Sequence, residues 1–447
     1  MREYDDFYTG TYTINTGVVA APEPVAAGTL DDLADYLTTG YWVDTNQPRG
    51  SFDTSGSNEI SVNLNGLTAD GQQLARWAFE AWEAVADITF VETNSASADI
   101  FFSDNFSGAY STSDLSGASL TSPNLTVSST VNVSTEWLEF YGVTLDSYSF
   151  STYIHEIGHA LGLGHQGDYN GNASFGADAV FANDSTQLSI MSYFAPTENP
   201  NVNASDTAVL SAMMADIIAI QNLYGAADAS SITAGDTVWG SNTTLTGYWG
   251  YTNDILAGNL VSGVYAGETV SFTIYDRDGN DTLDLTGSDT DNTVDLRGGT
   301  FSDVGGLIGN VGVARGTSLE NAITGNGNDL VTGGNIDNMI TTGLGDDSVY
   351  GNGGNDTLIA DLGDDFVSGG DGSDLLFGKS GNDTIDGGNG FDVLWGGVTA
   401  TISSMPAAGM TRSVVLMVMT PSTAAGAGMS WTAVQGTTFL TGSTATM

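Results

Sequence analysis

The chain has 447 residues, of which 54 are acidic and 8 are basic, so its formal net charge is −46. A surface this acidic repels nucleic acids and anionic membranes, which excludes a nucleic-acid-binding role and makes multivalent cations the expected partners. Cysteine is absent, so we expect neither disulfides nor thiolate metal ligands. No apolar run reaches the roughly 18 residues of a membrane span, and the first residues lack the pattern of a secretory signal peptide, so we expect no membrane insertion.

The composition changes along the chain and predicts four segments. Residues 1–28 form a flexible N-terminal segment that ends in a stretch rich in Ala and Pro. Residues 29–228 alternate between helical and extended patterns, which predicts an α/β (α+β) domain. The predicted helices cover residues 69–88, 149–162 and 205–224, and the predicted strands cover 88–92, 98–104 and 125–134. Residues 229–397 lose the helical signal and predict an all-β domain, and residues 398–447 form an atypical tail.

All three histidines fall in one short segment, His155-Glu156-Ile157-Gly158-His159 and its continuation to His165. On a helix, His155 and His159 project from one face, one turn apart, as two ligands of one metal ion require. Glu156 is rotated about 100° from them, so it reaches a water at the metal without binding the metal. Gly162 permits a left-handed turn that brings in His165 as third ligand. Three histidines leave one position open for water, which predicts a catalytic zinc site; a chance motif on a surface helix would not concentrate the histidines in this way.

From Gly325 a nine-residue repeat runs through eight copies, with Asp, or once Asn, at the same position of each. An apolar residue stands two positions later in every copy. These apolar residues are Val331, Ile340, Val349, Leu358, Val367, Leu376, Ile385 and Leu394. The pattern predicts a parallel β-helix (β-roll) that has the apolar residues inside and binds several structural Ca²⁺ ions through Gly carbonyls and Asp carboxylates. A disordered linker rich in Gly and Asp would not keep the apolar register.

The predicted calcium ligands come from the Gly, Asn and Asp positions of the repeats. They are Gly325, Gly327, Asp329, Gly334, Asn338, Gly343, Gly345, Asp347, Asn352, Gly354, Asp356, Gly363, Asp365, Gly372, Asp374, Gly381 and Asp383. The second copy is weaker, because Asn338 replaces Asp and Ile336 replaces Gly, so we expect a partial site there.

The segment HEIGHALGLGH, followed by Ser189-Ile190-Met191-Ser192-Tyr193, resembles the metzincin zinc endopeptidases with their Met-turn. Together with the calcium repeats it is similar to the serralysin family of secreted bacterial proteases, over about residues 30–397. The resemblance implies that Met191 forms an apolar base under the zinc and that Tyr193 binds zinc or stabilises the oxyanion. The alternative for Tyr193 is a half-buried tyrosine with no role. Gln166 stands where the family often has Pro, outside the ligand set.

The same resemblance implies the reaction and a further calcium site. Glu156 would take a proton from the attacking water and return it to the leaving amine. The substrate would add as an extra strand at an edge near Gly108-Ala109-Tyr110. The further calcium site, upstream of the repeats, would use residues that match the family's pattern. They are Asp276, Asp278, Gly279, Asp281, Ser318 and Glu320.

Residues 398–447 have an unusual composition, with no Asp or Glu and six of the eleven Met residues of the chain. The family resemblance implies further repeats and an acidic export signal here, and neither is recognisable. A shifted reading frame across residues 414–423 would encode another Gly/Asp repeat. We therefore hypothesise a frameshift near residue 398; the alternative is a divergent apolar tail that caps the β-helix.

These patterns together predict a secreted, extracellular zinc endopeptidase with one catalytic Zn²⁺, stabilised by Ca²⁺ and made as a zymogen whose propeptide lies within residues 1–28. We expect protein or peptide substrates, a proteinaceous inhibitor, export through type I secretion machinery and a monomeric state. The alternative is a calcium-binding adhesive or surface-layer protein with an idle protease domain. The intact Glu156 and the third histidine argue against idleness.

Overall fold

The computed structural model describes residues 26–397, 401–403, 414–420 and 430–436. The predicted propeptide and most of the atypical tail lie outside the described residues. The chain forms two compact units. The first contains the residues up to Ile232, Gly247–Thr252 and Leu260–Tyr275, and the second contains Thr233–Thr246, Asn253–Asn259 and the residues from Asp276 onward. The predicted boundary between residues 228 and 229 lies just before Ile232.

The first part of the chain holds all of the described helices and nine short strands. The helices are α1 (Leu30–Asp35), α2 (Tyr41–Asp44), α3 (Ala69–Glu83), α4 (Thr135–Tyr141), α5 (Tyr148–Ala160), α6 (Phe175–Asp178), α7 (Met214–Tyr224) and α8 (Gly247–Leu256), with a π-helical turn at Tyr36–Gly40 and a 3₁₀ turn at Pro196–Glu198. The strands are β1 (Gly50–Ser51), β2 (Glu59–Gly66), β3 (Thr89–Glu92), β4 (Ile100–Ser103), β5 (Ala109–Leu115), β6 (Asn124–Val133), β7 (Ala208–Val209), β8 (Val238–Gly240) and β9 (Val270–Ile274). None of the described helices is both long and apolar enough to span a membrane.

A mixed sheet forms the base of the first unit, with the strand order β1-β6-β4-β2-β3. These strands run parallel, whereas β5 runs antiparallel to β6. Along β2 the side chains alternate, so that Ile60, Val62 and Leu64 are buried on one face. Among the described residues β5 pairs with β6 alone, so β5 is an edge strand of this sheet.

Helix α5 carries the HEIGH segment and is fixed at its start and along its length. It begins after Ser147, whose hydroxyl accepts a hydrogen bond from the Phe150 N–H. The indole N–H of the buried Trp82 on α3 donates to the Ile154 carbonyl at 3.1 Å, which ties α5 to α3. The chain after α5 turns at Gly162, where φ is +111° and a Cβ atom would overlap the Gly50 carbonyl. Only glycine fits this turn without strain.

Two of the predictions about helices are wrong. The predicted helix over 205–224 begins only at Met214, because Ala208-Val209 instead pairs as β7 with Val270-Ser271 of β9. The absence of helices after residue 230 is also wrong, since α8 covers Gly247–Leu256. This helix is rich in glycine and aromatic residues, which are weak helix formers, so burial of Tyr248 and Trp249 stabilises it instead. The predicted strands in the first unit agree with the structure to within two residues at each end.

The second unit contains a parallel β-roll, which confirms the predicted fold class. Its strands after β9 are β10 (Thr282–Asp284), β11 (Thr293–Asp295), β12 (Thr300–Ser302), β13 (Val311–Val313), β14 (Asn321–Ile323), β15 (Leu330–Thr332), β16 (Met339–Thr341), β17 (Ser348–Gly353), β18 (Thr357–Ile359), β19 (Phe366–Asp371), β20 (Leu375–Phe377), β21 (Thr384–Asp386), β22 (Val393–Gly397), β23 (Thr401–Ser403), β24 (Val414–Thr420) and β25 (Ser430–Gly436). Even-numbered strands from β10 to β22, except β12, belong to one parallel sheet, and odd-numbered strands from β15 to β21 belong to the other. Consecutive nine-residue repeats therefore alternate between two sheets, and residues 18 apart pair, as Val349 does with Val367.

The predicted apolar positions form the core of the roll. All eight, from Val331 to Leu394, are fully buried. Residues such as Ile340, Leu358 and Leu376 stack directly on one another, because the parallel pairing keeps them in register from turn to turn.

Two ladders of hydrogen bonds connect successive turns of the roll. In the inner Asp ladder, the Oδ1 atom of each repeat Asp from Asp347 onward accepts from the backbone N–H 18 residues earlier, as Asp365 does from Asp347 at 2.9 Å. In the outer Asx ladder, formed by the exposed residues just before those Asp, the direction is reversed. There the Oδ1 atom of Asp364 accepts from the Asn382 N–H at 2.7 Å.

The described parts of the tail extend the two sheets. β23 pairs parallel with β21, β24 pairs parallel with β22, and β25 pairs antiparallel with β24. The frameshift hypothesis concerns mainly residues outside the described ranges, and it stays a prediction.

Replacing Leu358 by Ala should remove one layer of the stack. Loss of a fully buried leucine costs about 2–5 kcal/mol of unfolding free energy. Urea unfolding of the full chain in calcium should show this loss, whereas Thr357→Ala, at a half-buried neighbour, should cost far less. Equal effects of the two substitutions would contradict the assigned core.

Candidate active site

Three imidazoles converge at the end of α5. The Nε2 atom of His165 lies 3.3 Å from that of His155 and 2.9 Å from that of His159. Nitrogen ligands at about 2.0–2.1 Å from a tetrahedral zinc ion are about 3.3–3.4 Å apart, so this spacing fits a shared ion. Within the described residues these histidines are the one group of three or more His, Cys, Asp or Glu whose ligand atoms all lie within 4.8 Å of one another.

Backbone carbonyls orient two of these rings. The Nδ1 atom of His155 lies 2.9 Å from the Ile190 carbonyl oxygen, and that of His159 lies 2.8 Å from the Leu163 carbonyl oxygen. A carbonyl can only accept, so Nδ1 carries the proton and Nε2 keeps its lone pair for a metal. Burial lowers the pKa of His155 to about 4 and, with the charge of His155 as a second cause, that of His159 to about 3. Both rings are thus neutral at pH 7, as metal ligation requires.

Two pockets meet at the histidines. The first, of about 310 Å³, lies beside the start of α5 and is lined by Trp137, Tyr148 and Val209 among others. The second, of about 560 Å³, follows the whole length of β5. His155, Glu156 and Tyr193 line both pockets, so a ligand that fills both crosses these three side chains. The predicted base Glu156 is therefore placed beside the histidines and in the cleft.

The segment from Ser189 to Tyr193 passes directly beneath the histidines. Met191 is fully buried, and its sulfur lies against Gly158 of α5. The carboxylate of Asp216 on α7 holds this turn, because it accepts from the Ser189 hydroxyl at 2.6 Å and from the Ile190 N–H at 2.7 Å. Ile190 is the residue whose carbonyl receives His155. Burial raises the pKa of Asp216 to about 7, although these hydrogen bonds oppose the rise.

Tyr193 lies among aromatic rings beside the three histidines. Its ring centroid is 4.6 Å from that of His165, 6.0 Å from that of His155 and 4.8 Å from that of Tyr169. The Tyr169 hydroxyl donates to Asp184, a fully buried carboxylate. Gln166 is also buried, and its side-chain amide donates to the Leu33 carbonyl, so it anchors α1 and takes no part in the histidine group.

The sequence alone did not single out Asp216, Asp184 or Tyr169. Each lies outside the HExxH motif and depends on long-range contacts; Asp216 is 26 residues from Ile190 along the chain. The one signal for Asp216 is a single acidic residue inside the otherwise apolar segment MADIIAI. An acid at such a position is rarely buried unless other groups donate to it.

The repeat carboxylates of the roll are buried and only half satisfied. Oδ1 takes part in the inner Asp ladder, whereas the Oδ2 atoms of Asp356, Asp365, Asp374 and Asp383 accept no hydrogen bond from any residue that the structure describes. A Cβ atom built on Gly351 would overlap Oδ2 of Asp356, so that oxygen lies over bare backbone. Burial, with the charge of Asp374 as a lesser cause, raises the pKa of Asp356 to about 7.

The glycines predicted as ligands place carbonyls and tight turns between the layers. Six of them have positive φ, between +115° and +158°. These are Gly327, Gly345, Gly354, Gly363, Gly372 and Gly381. A Cβ atom on Gly363 would overlap the Gly345 carbonyl oxygen of the preceding turn. The carbonyls of Gly325 and Gly343 accept N–H groups from the following turn, at Leu344 and Leu362.

Two predicted ligands that are not Asp or Gly behave differently. The Asn338 amide donates to the Leu319 and Glu320 carbonyls, and its oxygen accepts from the Gly334 N–H. The Asn352 amide donates to the Gly333 carbonyl at 2.8 Å. At these two positions a side-chain amide, rather than a cation, therefore contacts the backbone carbonyl oxygens.

The residues predicted for the upstream site lie partly together. Asp276 is buried and accepts from the Trp239 indole through Oδ2, whereas its Oδ1 atom has no hydrogen-bond partner among the described residues. Glu320 accepts from the Asp281 N–H, and a Cβ atom on Gly279 would lie 2.8 Å from Oδ1 of Asp281. Asp278 accepts from the Gly235 N–H, and Ser318 is exposed. Burial raises the pKa of Asp276 to about 8 and that of Asp281 to about 6.

Known protein families match different parts of the chain. Residues 60–172 match the family Matrixin, residues 229–392 match Peptidase M10 serralysin C terminal, and residues 140–211 match Peptidase M66. Metallopeptidase AprA of Pseudomonas marginalis is 36% identical over 65% of this chain and 60% of its own length. Serralysin B of Dickeya chrysanthemi is 36% identical over 58% and 52%, and a serralysin of Proteus mirabilis is 35% identical over 60% and 54%.

The fold and the histidine group define the first unit as a metzincin domain. With the serralysin C-terminal match over residues 229–392, these similarities support a serralysin-family metzincin, as the sequence predicted. The chain spans between about half and three fifths of the length of these relatives.

Gly158 offers a test of the contact beneath the histidines. Glycine to alanine inside a helix normally stabilises a protein by about 0.5–1 kcal/mol. Here an added Cβ would lie 2.8 Å from the Met191 sulfur and 3.2 Å from Trp82. We expect Gly158→Ala to lower the melting temperature and to weaken zinc retention against a chelator. Gly56→Ala, at an exposed glycine with nothing within 4 Å of the added Cβ, should do neither.

Proposed function

We propose that the protein is a zinc endopeptidase that hydrolyses peptide bonds of extracellular proteins. The observation that carries this proposal is the convergence of three imidazole Nε2 atoms beside Glu156, at the point where two pockets meet. The donor set suits Zn²⁺ and leaves room for a fourth ligand. A pocket on each side of the histidines suits a substrate that extends past the cleaved bond in both directions.

Each side chain at the cleft has a distinct role in the proposed reaction. His155, His159 and His165 would hold zinc, which when bound supplies a Lewis acid that lowers the pKa of a water towards about 7. Glu156 would accept a proton from the attacking water and return it to the leaving amine. Tyr193 would bind the zinc or hold the developing oxyanion. Met191 would support the histidines from below by packing alone.

We propose β5 as the strand to which substrate adds. It is an edge strand in the described part of the first unit, and all of its residues line the second pocket. Its free backbone groups would pair with an extended peptide. This assignment places the docking edge along Ala109–Leu115, which includes and extends the predicted Ala109-Tyr110.

Calcium would complete the roll and stabilise it. The unpaired, buried Oδ2 atoms lie beside glycine carbonyls of neighbouring turns, and such oxygens are the ligands that Ca²⁺ prefers. Asn338 and Asn352 would instead replace a cation with an amide, which explains how the roll continues through those positions. Asp276, Asp281 and Glu320 form a further candidate site, in which the buried Oδ1 atom of Asp276 has no hydrogen-bond partner among the described residues.

Secretion, a zymogen form, a proteinaceous inhibitor and passage through type I secretion machinery remain proposals that rest on the family. Calcium at millimolar concentration outside the cell would fold the roll there, and the same repeats would stay unfolded in a low-calcium cytosol.

Glu156→Gln should abolish most hydrolysis while zinc stays bound. Loss of a general base costs on the order of 10²-fold or more in kcat. Casein or peptide cleavage and zinc content should be measured together, with Glu59→Gln, at an exposed glutamate of β2, as the control. Full activity in Glu156→Gln would contradict the proposed mechanism. No zinc-dependent cleavage by the wild-type protein would favour the adhesive alternative.

Asp365→Asn and its neighbour Asp364→Asn separate a calcium effect from a charge effect, because both remove one negative charge. Asp365 is buried and Asp364 is exposed in the outer Asx ladder. In calcium, only Asp365→Asn should lower the thermal stability of the full chain and the amount of bound calcium. In EGTA, where the wild-type roll should be largely unfolded, Asp365→Asn should instead raise its folded fraction, because it removes one of the like charges that repel by roughly 1–4 kcal/mol per pair at a few ångströms. A roll that is equally stable in EGTA and in calcium would show that calcium is incidental.

A further inference from the structure

A buried cluster of Tyr169, Asp184 and Ser192 lies directly behind Tyr193. Asp184 is fully buried, and its carboxylate accepts from the Tyr169 hydroxyl at 3.0 Å and from the Ser192 hydroxyl at 2.6 Å. Ser192 precedes Tyr193 in the chain, and its hydroxyl also accepts from the Phe194 N–H at 3.1 Å. One carboxylate therefore fixes the backbone on both sides of Tyr193.

The Tyr169 ring fixes Tyr193 from a second direction. It packs at 5.6 Å between centroids on His165, with the planes inclined by 29°, and at 4.8 Å on Tyr193. Its hydroxyl lies 3.4 Å from the Tyr193 backbone nitrogen and accepts from that N–H. Tyr169 thus contacts both Tyr193 and the proposed zinc ligand His165.

A carboxylate is costly at this buried position. Asp184 makes no ion pair with any described Lys or Arg, and burial raises its pKa to about 7. The carboxylate fixes the orientation of two hydroxyl groups, because it accepts a hydrogen bond from each of them.

We infer that Asp184 is a positioning residue that acts through Tyr169 and Ser192 to hold Tyr193 in place for the reaction. The inference rests on the proposed function, in which Tyr193 serves the zinc or the oxyanion. It adds residues from outside the histidine motif and the Met-turn to the machinery of the cleft.

A double-mutant cycle between Tyr169 and Tyr193 tests the inference. Tyr169→Phe removes only the hydroxyl, and we expect kcat to fall roughly 10- to 100-fold with KM, zinc content and melting temperature little changed, because small displacements of a reacting group have effects of this size. In the Tyr193→Phe background, Tyr169→Phe should lower kcat by less than twofold further. The matched control is Tyr36→Phe, which removes a buried hydroxyl that donates to Asp44 at 3.0 Å and lies outside the cluster.

Several results would overturn the inference. Independent, multiplying losses in the double variant would show that Tyr169 does not act through Tyr193, and loss of zinc in Tyr169→Phe would show that it acts on His165. Ser192→Ala removes the other arm of the cluster and gives the same test if Tyr169→Phe is not recovered folded. Failure of the proposed function is distinct, because it would leave wild-type protein without cleavage that depends on Glu156.

Discussion

Buried carboxylates with almost no cationic side chains to pair with them are the constraint on which this structure depends. The chain has 54 acidic residues against 8 basic ones, and each ion pair in its described part includes at least one exposed side chain. An unpaired charge away from water is costly, so every buried Asp needs donors or a metal ion. The structure uses donors in the first unit, and we propose metal ions in the second.

In the first unit the donors are hydroxyl and backbone N–H groups. Asp216 accepts from Ser189, Ile190 and Met213 at 2.6–2.8 Å, and Asp184 accepts from Ser192 and Tyr169. Both carboxylates therefore hold the segment beneath the histidines in place and take no part in a surface ion pair. Ile190 links Asp216 to His155, because its N–H donates to Asp216 and its carbonyl accepts from His155. A residue on α7 therefore helps to orient a ring on α5.

The sequence predicted those parts of the molecule in which the determining contacts are local or periodic. His155 and His159 share a helix face by geometry alone, and the apolar positions from Val331 to Leu394 repeat at a fixed interval. It failed where tertiary contacts override local preference. Residues 205–213 are drawn out of the predicted helix by the pairing of β7 with β9, and α8 forms from poor helix formers because Tyr248 and Trp249 are buried. Asp184 and Tyr169 stand in no recognisable sequence motif, because their role depends on tertiary contacts.

The two proposed metal centres differ in how the ion would be coupled to folding. At the histidines, carbonyl acceptors and the supported turn hold the rings in a ligating arrangement through contacts within the protein, so zinc would add little to the stability of the fold. In the roll, the inner Asp ladder satisfies one carboxylate oxygen of Asp356, Asp365, Asp374 and Asp383 and leaves the other without a donor among the described residues, so folding without an ion would accumulate buried negative charge turn by turn. The outer Asx ladder can keep the register of the turns, because its exposed side chains stay hydrated, but it cannot remove that charge. Ion binding to the roll would therefore contribute directly to the folding free energy, whereas ion binding at the histidines would chiefly serve the reaction.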